Sequence, residues 1–459
     1  MDHLLRNSET GGRGGFLPPR LPPNLLQKTT IGPNAVLFLH LGEGIYLLHR
    51  VRSLMQRLLA STMMLLMMTA ALAGCAGSDV TQDDVDTARE EGRAAGIAEA
   101  TPVSTLDTII DRGTMKCGVK ESQYGMGYLD AATGVRSGLD ISYCRAVAAA
   151  LGLNPATDVE YIPASGSDRF EKLAAGTIDV LIRTTTWTTS RDASLNADFA
   201  GMNFFDGQGI LVREDRFAAA AAGNSAAGLD AANICVGIGT TTEGNMQDWF
   251  ASREIAFTSV PVADAAEATS KFIAGTCDAF TGDMSAMVAK KWQLDTDGSV
   301  TDADGNSVDI WIASELMSKE PLGAATRDMD SDFKDVVAWV WYGMVTAEEM
   351  GVTSSNHGAM ATSACAVNDA GSATDPGMCR LLTENLGLGT ATNPLAGTWM
   401  AAVLDAAGNY GEAYDDAFCA GDYDGTSGSA AMNDCLISRA GTLNALVSEG
   451  GIQYAPPMR

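Results

Sequence analysis

Short apolar runs alternate with amphipathic stretches through most of this chain, and that alternation restricts the class of fold it can adopt. Residues 115–119 read as a strand. Gly138-Leu139-Asp140 then opens an amphipathic helix over 141–151. Residues 159–162 read as a strand, 168–173 as a helix ending at Gly176, and 178–182 as the next strand. A second series follows, with strands at 209–212 (a candidate crossover), 234–238, 277–280 and 308–311. Helical spacing appears at 246–250, 265–273 and 333–342. Such a βαβα order predicts an α/β fold, a mainly parallel sheet with helices on both faces. The folded part is expected to start near Ser104, where Ser104 or Thr105 can cap a helix. Asp297-Gly298 and Asp304-Gly305 mark an expected hairpin. The tail from about 354 onward is rich in Gly, Ala, Asn and Asp, and reads as loop-rich elaboration.

The start of the chain has a different character. Residues 1–54 carry Leu17-Pro18-Pro19-Arg20-Leu21-Pro22-Pro23 and no sustained period, and are expected to be an upstream extension, with translation beginning at Met55. Residues 55–74 then form a signal peptide: Arg57, an apolar run to Leu72, and Leu72-Ala73-Gly74-Cys75 as a lipobox. The run is short for a membrane span. Cys75 is therefore the expected lipidation site, holding the protein at a membrane outside the cytoplasm. Residues 75–103 are a polar tether, helical in part.

The formal net charge is −27. No basic stripe is available to displace counterions from phosphates, which argues against a nucleic-acid partner. With Cys75 set aside, the nine cysteines leave an even set in an exported chain. Sequential pairing is the simplest arrangement: Cys117–Cys144, Cys235–Cys277, Cys365–Cys379 and Cys419–Cys435. Many other pairings remain open on spacing alone. No CxxC occurs, and beyond the leader only His357 is left. Neither a metal nor a cofactor is expected.

The chemistry concentrates at strand ends, the usual ligand-facing edge of such sheets. After the strand at 178–182 comes Arg183-Thr184-Thr185-Thr186-Trp187-Thr188-Thr189-Ser190-Arg191-Asp192. Hydroxyls there can donate to a small carboxylate, and Arg191 can grip both its oxygens. A polar strand end with a surface Arg fits the local sequence equally well. In the second series, Gly239-Thr240-Thr241-Thr242-Glu243 begins a helix, whose free amides favour an anion. Thr240–Thr242 also serves as a plain helix cap. Asp283 lies just beyond a strand and can accept from an ammonium, or cap a helix starting at Met284. An Arg on one lobe and an Asp on the other fit a zwitterion, each charge paired in a closed cleft.

The chain resembles the amino-acid solute-binding proteins of ABC transporters, especially the general L-amino-acid binders. The resemblance rests on Cys117-Gly118-Val119, Thr184 through Asp192, Asp206-Gly207-Gln208-Gly209, Gly239 through Glu243, Cys277 through Asp283, Ser318-Lys319-Glu320-Pro321-Leu322-Gly323, Gly408 through Glu412 and Tyr454-Ala455-Pro456-Pro457. It spans about 104 to 459. It implies two Rossmann-like lobes joined by two crossover strands, with the ligand cleft between them, as in periplasmic binding proteins of type 2. The first lobe is expected to comprise 104–210 and 325–459, the second 211–324. The resemblance assigns Thr184, Thr186, Arg191 and Thr241 to the ligand carboxylate and Asp283 to its ammonium. Segments around 360–380 and 418–436 look inserted. The loop 120–128 departs from the family pattern, so side-chain preference stays open; Tyr124 and Trp187 are candidate pocket walls.

These readings point to a monomeric binding protein that passes free L-amino acids to an ABC permease and catalyses nothing. Two alternatives share the fold: a dehydratase-like enzyme and a sensory domain. The first lacks an evident nucleophile–base pair. The second would normally bring a transmembrane helix and a signalling domain.

Overall fold

The computed structural model describes residue 87 and residues 89–91, 104–419 and 434–459. The expected extension, signal peptide and Cys75 lie outside the described residues, as does most of the tether. Thr87 and Arg89–Glu91 within the tether are helical. Residues 99–459 form one compact unit, and everything below concerns that unit.

Helix α1 (Thr105–Arg112) starts where the Ser104 hydroxyl accepts the Leu106 amide, and it stops at Gly113, which takes a left-handed φ of 71°. Strand β1 (Met115–Val119) follows. The short strands β2 (Ser122–Gln123), β3 (Gly127–Leu129) and β4 (Arg136–Ser137) make a small antiparallel sheet. Helix α2 (Leu139–Ala150) packs beneath it, and β5 (Val159–Pro163), α3 (Arg169–Ala174), β6 (Val180–Leu181) and α4 (Thr189–Ser194) complete the first series. Strand β7 (Ala197–Arg213) crosses to the second. There α5 (Glu214–Gly223), β8 (Ala232–Gly237), α6 (Thr241–Ala251), β9 (Phe257–Val262), α7 (Ala265–Ile273), β10 (Ala279–Asp283), α8 (Met284–Asp297) and β11 (Ile310–Ile312) follow in order. Strand β12 (Lys319–Arg327) crosses back, followed by α9 (Ser331–Glu349).

The large sheet runs β5-β1-β6-β12-β7-β10-β8-β9, with β11 also on β7. Within each lobe the pairs β1–β5, β1–β6, β8–β9 and β8–β10 are parallel, as the alternation predicts. The two long crossover strands are antiparallel to each other and to their neighbours, so the sheet is mixed. The register of β12 on β7 shifts on both sides of Gly323. A Cβ on Gly323 would stand 2.5 Å from the Gly201 carbonyl oxygen, and Gly201 itself takes a φ of +94°. Only glycine lets the two backbones approach so closely there.

The second lobe shows why its strands read as continuous apolar runs. Ile210, Val212, Ile234 and Val236 enter one buried cluster, while their neighbours Leu211 and Cys235 enter another on the opposite face. The four sequential disulfides are all present: Cys117–Cys144, Cys235–Cys277, Cys365–Cys379 and Cys419–Cys435.

Two expectations need correction. Asp297-Gly298 is not a hairpin turn: Gly298 ends α8 with a left-handed φ of 58°. Asp304-Gly305 does sit in a tight loop, closed by the antiparallel bridge Thr301–Ser307. The tail is also more ordered than its composition suggests. Helices α10 (His357–Ala364), α11 (Pro376–Thr383), α12 (Trp399–Ala407) and α13 (Tyr410–Phe418) lie in it. Trp399, Tyr410 and Tyr414 join Trp341 of α9 in the main core. Arg439 donates to Glu348 in an ion pair with no exposed side-chain surface, fixing the end of the tail to α9.

Candidate functional site

Strand β6 ends at Leu181, and the chain then turns sharply. Thr184 takes a left-handed φ of 38°, unusual for a β-branched residue. Its amide donates to the Asp140 carboxylate at 3.0 Å, which holds the turn. Its hydroxyl oxygen is buried without a partner among the described residues. Strain and an unsatisfied hydroxyl at one residue mark a place organised for a ligand. Thr186 bridges to Leu322 of β12, and Thr188 caps α4 by accepting the Arg191 amide. Arg191 is thereby aimed back at the turn. Its guanidinium donates to the Thr186 carbonyl at 2.8 Å and stands 5.6 Å over the Phe170 ring.

The second lobe contributes from two strand ends. Thr240 caps α6 by accepting the Glu243 amide, so capping does not consume Thr241. Asp283 precedes α8 but makes no cap bond. Both carboxylate oxygens of Asp206, on β7, accept the Ser285 amide at 3.3 Å instead. The Asp283 carboxylate is left facing Lys120, with Nζ 3.9 Å away.

Thr184, Thr186, Arg191, Thr241 and Asp283 line one cleft. Tyr124 lies beside it, lining a smaller adjoining pocket and stacked on Trp292 at 5.0 Å. Trp187 is not among the residues that line the cleft. It packs on Phe199 with ring centroids 5.6 Å apart, and its amide donates to Pro321.

Sequence reasoning passed over several groups here. Glu320 of β12 is fully buried and accepts from Thr186 (2.5 Å), Thr241 (2.8 Å), Asn245 (2.8 Å) and Ser318 (2.5 Å). Lys120, Arg169 and Arg183 also line the cleft. Burial, helped by the Arg183 charge, lowers the Lys120 pKa to about 8. Burial raises Asp140 to about 6 and, with the charge of Asp283, Asp206 to about 7. Arg183 lay inside the stretch already singled out; its signal was an Arg at the end of a buried strand. Among the described residues, no group of three or more His, Cys, Asp or Glu side chains is placed to hold a metal.

Fold and cleft together define a two-lobed α/β protein with a polar cleft for a small ligand, and the comparisons agree. Residues 115–351 match the bacterial extracellular solute-binding proteins, family 3. The chain is 38% identical over 366 residues to the glutamate/glutamine/aspartate/asparagine-binding protein BztA of Rhodobacter capsulatus, covering 80% of this chain and 96% of that one. It is 34% identical to the general L-amino acid-binding periplasmic protein AapJ of Rhizobium johnstonii, covering 79% and 95%. Among solved structures, an ABC transporter periplasmic binding protein from Brucella ovis with glutathione bound superposes with a TM-score of 0.64 at 34% identity, covering 78% of this chain and all of that one. The chain belongs to family 3 of the bacterial extracellular solute-binding proteins.

Proposed function

We propose that this protein captures free L-amino acids between its lobes and delivers them to an ABC permease, without catalysis. One observation carries the reading. Arg191 from one lobe and Asp283 from the other line the same cleft, and neither is spent on the other. The α-carboxylate goes to Arg191 and the unpartnered Thr184 hydroxyl. Thr186 and Thr241, held by Glu320, frame that end. The α-ammonium goes to Asp283. A ligand that touches both lobes favours the closed arrangement, so binding and closure are one equilibrium. BztA and AapJ carry names that assign them amino acids, which supports the same class of ligand here.

The lipobox at Leu72-Ala73-Gly74-Cys75 supports lipid anchoring through Cys75, and in this reading the protein acts as a monomer beside its permease. The test of binding is a thermal-shift screen of residues 76–459 against the common amino acids, followed by calorimetry. Stabilisation by several amino acids, rising with concentration as ligand linkage requires, is the expected result. A transition unmoved by every amino acid overturns the proposal.

A further inference from the structure

The cations of the cleft are not equally paired. Lys120, Arg169, Arg183 and Arg191 line it, against Asp264 and Asp283, with Asp140 and Glu320 buried beside the Thr184–Thr186 turn. A zwitterion brings one charge of each sign and does not change that inequality. An unpaired cation away from water is costly, so it asks for an anion from the ligand.

The cations differ in how far they are committed. Arg169 is taken up by backbone: it donates to the Gly166 carbonyl, reaches those of Ser165 and Gly239 at 3.4 Å, and lies 5.0 Å over the Phe170 ring. Asp264 is also occupied, accepting the Glu267 amide at 2.8 Å to cap α7. Arg183 is different. Its Nε is buried without a partner, as is that of Arg169, but unlike Arg169 its guanidinium donates to no carbonyl among the described residues. Asp283 and Asp140 are the main negative charges acting on it, but Asp140 already accepts the Thr184 amide. Lys120 donates to Gln123 at 2.6 Å and lies 3.9 Å from Asp283. Once a ligand ammonium takes Asp283, Lys120 and Arg183 are left to share Asp140 alone.

Building on the amino-acid reading above, we infer that Arg183, assisted by Lys120, receives a second carboxylate on the ligand and makes the protein prefer dicarboxylic amino acids over their amides. The fork of Arg183 matches a carboxylate in two-point geometry, whereas an amide offers one acceptor and a misplaced donor. Arg183 is then a specificity residue, separate from the Arg191–Asp283 pair that reads the amino-acid group common to all.

Calorimetry on the wild type and on Arg183→Met and Arg183→Lys, with glutamate, aspartate, glutamine and asparagine, tests this. The wild type is expected to bind the acids at least about tenfold more tightly than the amides, the size of a charge-assisted hydrogen bond. Arg183→Met should remove that preference by weakening the acids alone, and Arg183→Lys should restore part of it. If Arg183→Met does not fold, Lys120→Met carries the same test, with a smaller but equally selective loss. Equal binding of acids and amides by the wild type, or equal losses for both in the variant, overturns the inference while leaving amino-acid capture intact. An Arg183 dependence seen with glutathione and not with glutamate also overturns it. A wild type that binds no amino acid removes the underlying reading and this inference with it.

Discussion

The Thr186 hydroxyl donates to the Glu320 carboxylate at 2.5 Å, and Glu320 is fully buried. Glu320 sits on the returning crossover strand. From there it collects Thr186 of one lobe and Thr241 and Asn245 of the other. The strand that joins the lobes thus orients hydroxyls on both walls of the cleft.

Replacing Glu320 tests that arrangement. Glu320→Gln puts an amino group where an acceptor stood, and at least one of the four donors loses its partner. The cost of an orphaned buried donor is about 1–3 kcal/mol. Urea unfolding of the ligand-free protein should show a loss of that size, and amino-acid affinity should fall as Thr186 and Thr241 lose their positions. An unchanged unfolding midpoint would mean that Glu320 merely fills space.

The roles of Arg191 and Asp283 separate by ligand chemistry. Arg191→Ala should weaken every amino acid by roughly 2–5 kcal/mol, the usual loss when one partner of a buried charge pair is truncated. Asp283→Asn should weaken amino acids comparably, yet leave simple carboxylic acids lacking an amine little affected. Calorimetry with matched ligand pairs decides the point. Equal losses for amine-bearing and amine-free ligands in Asp283→Asn would refute its assignment to the ammonium.

Asp206 gives a pH signature. Its carboxyl is pushed up to about 7 by burial and then by the charge of Asp283, against hydrogen bonds from the Ser285 and Gly207 amides. The unfolded value is about 3.9. Between those values the folded state binds more protons than the unfolded one. The associated stability is therefore complete below about pH 4 and is lost as pH rises through about 7. Asp140, raised by burial to about 6, acts in the same direction. Unfolding midpoints of the ligand-free protein should decline over that window, and Asp206→Asn should flatten the decline. An identical slope in the variant would show that Asp206 does not carry it.

Local chemistry in the sequence reached a good part of this protein. The strand-end stretch, the helix-start threonines and Asp283 could be found because each sits at a readable strand–helix boundary. The antiparallel pairing of β7 with β12 could not, since it joins residues more than a hundred positions apart and depends on Gly201 and Gly323 approaching each other. Helix α13 was within reach: Asn409 and Glu412 form a capping box, but the surrounding Gly and Asp residues suggested loop. Lys120, Arg183 and Glu320 come from three separate segments, and no spacing rule brings them together. Trp187 shows the converse. An aromatic inside a ligand-facing stretch looks like a pocket wall, but its neighbour across the strands is Phe199.

Tyr124 offers two distinguishable roles. It follows β2 on one lobe, and its ring stacks on Trp292 of α8 on the other, with centroids 5.0 Å apart and planes 26° from parallel. Both rings are partly exposed, at 39% and 45%, so the pair lies at the rim of the molecule. Beside it Gln123 donates to Ser285 at 2.9 Å, a second tie between the lobes. A pocket wall touches the ligand side chain, so its loss changes the order of preference among amino acids. A clasp stabilises the closed state whatever is bound, and its loss lowers all affinities by one factor. The geometry favours the clasp, and Tyr124→Ala should weaken every amino acid by a common amount of about 0.5–1.5 kcal/mol, the worth of an aromatic pair. Tryptophan emission should respond to ligand in the wild type and respond much less in Trp292→Phe. A reordered preference in Tyr124→Ala would return Tyr124 to the pocket wall.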